Sequence, residues 1–508
     1  MREPGTEIET GYEWIALSVT TVGALLASIQ GSALLIALPA ILVELQATFL
    51  TIMWMLLGYL LVTTAIVPVI GRLADMVGRK NLYNAGFAIF TLGSLLAGLG
   101  QPAFHGWDLV LFRMIQGIGG ALLITNSTAI VTDAFRTGRV GLGLGVNQIA
   151  GVSGFLIGPV VGGLLTAVSW RWVFLVNVPL GIFGTFWAMH RLREPVVLPR
   201  GQTFDWGGSI SFTLGPGSLL LALSLLALPA AGTSAIGILL VIAAIGIAIF
   251  IGIELHHPHP MLDLRLFRNP LFAFACTANA LNGLARGAVL FLLIFFLQGP
   301  YGKDPLAAGI MMAPFGAAFL LVGPISGYLS DRYGSRGLAT LGLAASAVGL
   351  LGLSTVTATT PYWIIAGYMA IMGGGSGFFS SPNTNAIMTS VPAARRGTAA
   401  GTRTMLANTG QMLSIAIAFP LVLSQIPPDV MMRVFLYGGG LGRAPSALAA
   451  FERGLHLAFL VSFLVTIIAA VVSFLRPPHR TIGPPLVHHP RPQPAPGPSG
   501  TTPDQPPR

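Results

Sequence analysis

Polar side chains are scarce in this 508-residue chain, and their positions single out the chemistry to consider. Long apolar runs contain Gln30, Asn126, Asn147, Gln148, Asn279, Asn282, Asn383, Asn385, Asn408 and Gln411, with three arginines, Arg113, Arg286 and Arg403. Amides and guanidinium groups donate and accept hydrogen bonds, but they supply neither a nucleophile nor a general base at neutral pH. They suit recognition of a solute or bonding between helices. Ser, His and Asp form no hydrolase pattern. The glycine runs "GLGLG" (141–145) and "GGGSG" (373–377) lack the strand–turn–helix setting of a phosphate loop. "HHPHP" (256–260) and His488–His489 read as solvated loop and tail rather than as metal ligands. No catalytic residue, cofactor or metal is expected.

A second group concentrates charge. "GRLADMVGRK" (71–80) packs Arg72, Asp75, Arg79 and Lys80 with Gly71 and Gly78 between two apolar stretches. Glycine permits a tight turn, and basic residues hold such a turn on the cytoplasmic side. A carboxylate there can seat on the positive N-terminal end of another helix. The expected seat for Asp75 is the helix beginning near Gly397. Asp331 is expected to do the mirror job at the helix beginning near Arg139.

The elements that carry these groups are membrane helices. The chain is 54% hydrophobic and 9% charged, against about 25% charged in a soluble protein. Apolar runs of about 20 residues, each able to cross a bilayer core of about 30 Å, recur along it. Fourteen fall between residues 14 and 475, which predicts an all-α polytopic membrane protein with both termini on one side. With the termini inside, 19 of the 27 Lys and Arg lie in inner segments and five in outer ones. The net charge of +10 is therefore topological, and no nucleic-acid partner is expected. The acidic start "MREPGTEIETGYE" lacks the basic region of a cleaved signal, so the first span is expected to stay. Cys276 stands alone, so no internal disulfide forms.

"GRLADMVGR" returns as "GYLSDRYGS" from Gly327, an offset of 256. That offset also joins Pro68 to Pro324, Gly117 to Gly373, Gly119 to Gly375, Gly145 to Gly401 and Gly154 to Gly410. The chain divides into a tail (1–13), a six-helix half (14–195), a two-helix insert (196–268), a second six-helix half (269–476) and a Pro-rich tail expected to be disordered (477–508). Segment 425–454 is a long outer loop. Repeats of this kind mark secondary transporters, with a site between the halves near midplane. The offset pairs Gln30 with Arg286. It predicts that Arg113 donates to Gln30 and to first-helix carbonyls, and that Arg286 faces the cavity as an anion-attracting or substrate-orienting group.

At these residues the chain resembles the major facilitator superfamily. "GRLADMVGRK" looks like its signature loop between the second and third spans. "LVLFRMIQGIGGA" (109–121) looks like its fourth-span motif, and "GFLIGPVVGG" (154–163), with Gly154, Gly158 and Pro159, like its fifth-span antiporter motif. "WRWVFLVNVPLG" (170–181) resembles the sixth span of the fourteen-span drug:proton antiporters. The resemblance implies the major facilitator fold in a 6+2+6 layout and a monomer in the cytoplasmic membrane. It implies export of small amphipathic molecules by alternating access, with Asp75 latching the halves. It credits an Asp in the first span with proton coupling, but Gln30 stands in that place. Protons remain a candidate partner through Asp133 or Asp108 at helix ends. The alternatives are a lipid or metabolite exporter or facilitator of the same fold, and a non-transporting sensor or scaffold.

Overall fold

A computed structural model describes residues 11–135, 140–193, 206–226, 233–256, 262, 264–391, 396–423 and 445–477. The two tails, most of the 425–454 loop and "HPHP" (257–260) lie outside the described residues. Every apolar run read from the sequence is helical where it is described. The first helices are α1 (Tyr12–Glu44), α2 (Phe49–Val77), α3 (Arg79–Gly98), α4 (Trp107–Ala134) and α5 (Val140–Val168). The sixth run is broken into α6 (Arg171–Leu175) and α7 (Asn177–Arg191). Then come α8 (Trp206–Leu225) and α9 (Thr233–His256). The next run breaks at Gly287–Ala288 into α10 (Pro270–Arg286) and α11 (Val289–Gln298). Another breaks at Met312 into α12 (Pro305–Met311) and α13 (Ala313–Tyr333). The chain closes with α14 (Ser335–Leu353), α15 (Tyr362–Thr389), α16 (Arg396–Leu423) and α17 (Pro445–Leu475). Ten segments are long and apolar enough to cross a membrane, two shorter apolar helices accompany them, and there is no strand among the described residues.

Local chemistry sets several boundaries. The Thr48 hydroxyl accepts from the Thr51 N–H at the start of α2. Asn269 and Asp304 cap α10 and α12, each followed by proline at the first helical position, where the missing N–H costs nothing. Gly78 ends α2 and starts α3 at φ +101°, and Gly334 ends α13 and starts α14 at φ +83°. They are 256 residues apart, so the signature turn is built twice on a backbone that favours glycine.

The repeat extends to packing. In the first set of helices (α1–α7), α3 meets α4 where an added Cβ on Gly93 would lie 2.7 Å from the Gln116 nitrogen. In the second set (α10–α17), α14 meets α15 where one on Gly349 would lie 2.7 Å from the Met372 nitrogen. Gly119 against Phe90 and Gly375 against Ser346 repeat the same relation. Small residues permit this close approach where lipid removes the hydrophobic drive between helices.

The two sets join at the end where α1 finishes and α2 begins. One apolar core there draws Leu38, Ile41 and Leu42 from α1, Met53 and Leu57 from α2, Phe291, Phe295 and Phe296 from α11, and Phe451 and Phe459 from α17. Toward the opposite end the buried clusters sort by set. Tyr83, Phe87 and Phe90 gather in the first, and Phe272, Cys276 and Ile387 in the second. α8 lies along the seam, packed on α2 and α16, and its Phe212 shares a small cluster with Ala65 and Met405. α9 packs on α8 and turns apolar side chains such as Ile238, Val241 and Ile245 outward.

Candidate functional site

Arg113 on α4 is fully buried and holds the first set together. Its Nε donates to the Met55 carbonyl at 3.4 Å and its Nη1 to Gln116 Oε1. Gln116 Nε2 donates to Ser94 Oγ at 2.6 Å on α3. The guanidinium also lies 4.2 Å from the ring centre of Tyr59 on α2. The expected bonds to Gln30 and α1 are not made, because Arg113 faces α2 and α3. Gln30 accepts instead from Asn177 Nδ2 at the start of α7. It is 1% exposed, inside the first set rather than on a cavity wall.

The expected pairing of Gln30 with Arg286 is also corrected. An added Cβ on Gly154 would lie 3.1 Å from the Leu25 carbonyl oxygen, and one on Gly410 would touch the Ala280 carbonyl oxygen. Gly151 faces Ser28, while Ala407 faces Gly283. Gly158 faces Ser32, while Ser414 faces Gly287. The α5 and α16 members of these pairs are 256 apart, but the α1 and α10 members are 255 apart. One residue turns a helix face by about 100°. Gln30 therefore matches Ala285, which is equally buried, and Arg286 matches Gly31, beyond whose Cα nothing lies within 4 Å.

Arg286 ends α10 at the helix break. It is half-buried, while its neighbours Ala285 and Ala288 are buried. It has no hydrogen-bond or carboxylate partner among the described residues, and its guanidinium lies 5.9 Å from the Phe319 ring centre on α13. The Ala288 N–H, next to the break, donates to Ser414 Oγ on α16 at 3.0 Å. Asn282 is buried on α10, and Asn279 Nδ2 donates to the Arg403 carbonyl at 2.9 Å. Arg403 Nη1 reaches Thr384 Oγ1 on α15 at 3.5 Å. Asn126 is buried and donates to the Leu122 carbonyl of its own helix. Arg476, at the end of the last span, is buried. It donates to the Ser335 carbonyl at 2.5 Å and to Asn383 Oδ1 at 3.3 Å. Burial and nearby Arg336 push its pKa down to about 10, so it stays cationic at neutral pH. Nothing in its sequence context distinguishes it from a solvated charge.

Of the gating residues, Gly71, Asp75 and Asp331 stand where side-chain surroundings lie outside the described residues. Arg79 pairs with Asp133, tying the start of α3 to the end of α4, with the two side chains 24% and 18% exposed. Gly154, Gly158 and Gly162 bring α5 against α1 at the Leu25, Ile29 and Ala33 carbonyls. Beyond Pro159 the same helix meets the other set. An added Cβ on Gly163 would lie 2.7 Å from both Leu306 Cα and the Pro305 carbonyl oxygen, and one on Gly309 would strike the Pro159 carbonyl. Gln298 Nε2 donates to the Ile36 carbonyl at 3.0 Å, again joining the sets at this end. Gly309 and Gln298 were not singled out from sequence, since cross-set contacts carry no local signature.

The carboxylates whose side chains are described stand at helix ends or, for Glu452, about two turns inside one. Glu44 pairs with Arg171. Asp108 accepts from the Gln101 and Leu109 N–H groups at 2.9 Å. Glu254, Asp304 and Glu452 each accept a backbone N–H, from Leu262, Ala307 and Ala358. Arg286, Asn408 and Gln411 are half-exposed polar residues within spans, which sit poorly against lipid, whereas Asn147 accepts from Ser127 Oγ within the first set.

The family model described as Major Facilitator Superfamily matches residues 20–417. The riboflavin transporter RibZ of Clostridioides difficile is 30% identical over 387 residues, covering 76% of this chain and 83% of that protein. Multidrug resistance protein 3 of Bacillus subtilis is 33% identical over 371 residues, covering 72% of this chain and 71% of that one. A bacterial homologue of the human lysosomal transporter Spinster, solved inward-facing and unoccupied, superposes with a TM-score of 0.67 at 16% identity. That superposition covers 92% of this chain and 97% of the other.

Proposed function

The chain belongs to the major facilitator superfamily, and on that premise we propose that it exports amphipathic small molecules by alternating access. It is a multi-pass membrane transporter and not an enzyme. In our reading the spans are fourteen, arranged 6+2+6 over 14–195, 196–268 and 269–476, and the protein works as a monomer. Both termini face the cytoplasm, which puts the shared apolar core outside and the parted sets inside. The conformation is then inward-facing. The observation that carries the proposal is this asymmetry: one large core common to both sets at one end, and at the other a cluster within each set, with the small cluster around Phe212 of α8 along the seam.

Alternating access needs contacts that form in one state and part in the other. The meeting of Gly163 and Gly309 with facing backbone is such a contact, since it joins the sets without covalent or charged ties. Asp75 is the counterpart in our reading, latching the cytoplasmic end when the outer contact opens. Protons, where coupled, pass through Asp133 or Asp108, because Gln30 does not titrate and lies inside the first set. The test is flux from liposomes holding the purified protein, with and without a pH gradient. The panel includes riboflavin and several drugs, because relatives are named for riboflavin transport and multidrug resistance, and the drugs span both charges. Flux that collapses without the gradient establishes antiport, and flux that survives establishes facilitation. Sealed vesicles that move no member of the panel would refute transport and favour a sensor or scaffold.

A further inference from the structure

Three arginines lie within the spans, and two are engaged. Arg113 is satisfied by Met55, Gln116 and Tyr59. Arg403 reaches Thr384, and its own carbonyl receives Asn279. Arg286 alone among them has no hydrogen-bonding partner among the described residues, although it is half-buried at a helix break. A guanidinium at that depth is costly unless it meets water or an anion. Asp133, Glu44, Asp108, Glu254, Asp304 and Glu452 have other partners, and none bonds Arg286. Its pseudo-symmetric position in the first set is Gly31, which leaves open space. Arg286 thus places a cation in the second set where the matching place in the first, Gly31, carries no side chain. Weak local screening strengthens its pull on an anion.

We infer that Arg286 anchors the anionic group of the cargo, with the Phe319 ring beside it receiving a flat apolar body. The substrate class is an aromatic amphipath carrying a carboxylate, sulfonate or phosphate. The guanidinium fork matches such groups with two parallel hydrogen bonds, which an ammonium does not reproduce. This inference rests on the export reading, since it takes the space beside Gly31 and Arg286 to be the cargo's path.

The test uses two dyes with one xanthene body and opposite charge at neutral pH, fluorescein and tetramethylrhodamine methyl ester. Anisotropy with the full-length protein in nanodiscs reads binding, and liposome flux reads transport. The unaltered protein should prefer fluorescein by about tenfold or more, a difference of roughly 1.4 kcal/mol. Arg286→Gln should abolish the preference, Arg286→Glu should reverse it, and Arg286→Lys should keep its sign while reducing its size. The Lys variant guards against misfolding, because it retains the charge. An unchanged preference in Arg286→Gln, or no fluorescein binding by the unaltered protein, overturns the inference. Binding with the expected charge dependence but no flux overturns the export reading and leaves Arg286 as an anion site. Flux with a preference that ignores residue 286 does the opposite.

Discussion

Gly163→Ala should bias the transporter away from the state in which the two sets meet beyond Pro159. An added methyl group would lie 2.7 Å from Leu306 Cα and from the Pro305 carbonyl oxygen, whereas ordinary contact begins at 3.4 Å. The neighbours are backbone, so no rotamer change relieves the clash, and α5 and α12 must part by about 0.7 Å, the difference between those distances. Overpacking of this kind costs about 1–3 kcal/mol. The gain in helix propensity from Gly to Ala, about 1 kcal/mol, applies in both states and cancels. The clash exists only when this end is closed, so the equilibrium should shift by about 5- to 150-fold. Spin labels at Ala103→Cys and Lys303→Cys, in a Cys276→Ser background, report the separation across that end by pulsed dipolar spectroscopy. Both sites are exposed. The variant should lengthen the main distance or populate a longer one. Gly31→Ala is the control, because nothing lies within 4 Å of its added Cβ. Identical distance distributions for Gly163→Ala and the unaltered protein would show that the Gly163 contact does not hold the end shut.

Two further perturbations separate structural from functional polar groups. Arg113→Leu leaves Gln116 Oε1 without its donor, a loss of about 1–3 kcal/mol. It should lower the thermal unfolding midpoint in detergent and reduce abundance, with the specific transport rate of folded molecules little changed; a selective loss of rate would return Arg113 to the transport path. Asp133→Asn and Arg79→Gln should each cost at most about 1 kcal/mol, as partly exposed pairs do, and the double variant should be no worse than either single one. If Asp133→Asn alone abolishes gradient-dependent flux while Arg79→Gln does not, Asp133 carries protons rather than only pairing with Arg79.

What the sequence made legible follows from where each signal resides. Helix positions are written in hydropathy, which is local, and every described apolar run is helical. The twin turns at Gly78 and Gly334 were legible because a positive φ strongly favours one residue type. Partners across helices were not. The Met55 carbonyl that meets Arg113 is 58 residues away, and a backbone acceptor has no residue signature. Asn177, which donates to Gln30, is 147 residues away, and an amide within an apolar motif does not announce its partner. The breaks at Val176, Gly287–Ala288 and Met312 interrupt runs whose hydropathy is continuous. Burial of Arg476 was hidden by its place at the end of a span, where a solvated charge is the ordinary outcome.

The one-residue difference between 255 and 256 matters more than any single contact. Sequence alignment without a gap set Gln30 and Arg286 in equivalent places, with Gln30 receiving Arg113 and Arg286 facing the cavity. The crossings of α1 with α5 and of α10 with α16 show the shift. They also show why it is tolerated. In the first set the small residues sit mainly on α5, at Gly154, Gly158 and Gly162. In the second they sit largely on α10, at Gly283 and Gly287, with Gly410 retained on α16. Either arrangement lets two backbones approach closely, so packing does not require the same helix to supply the glycine. Once the small residues change helix, the register of α10 is set by its own glycines rather than by those of α16. The face beside Gly287 is then released to carry another side chain, and there Arg286 stands where α1 has Gly31. The repeat thus conserves the crossing and differentiates the wall. One half presents space at Gly31 and the other presents charge at Arg286.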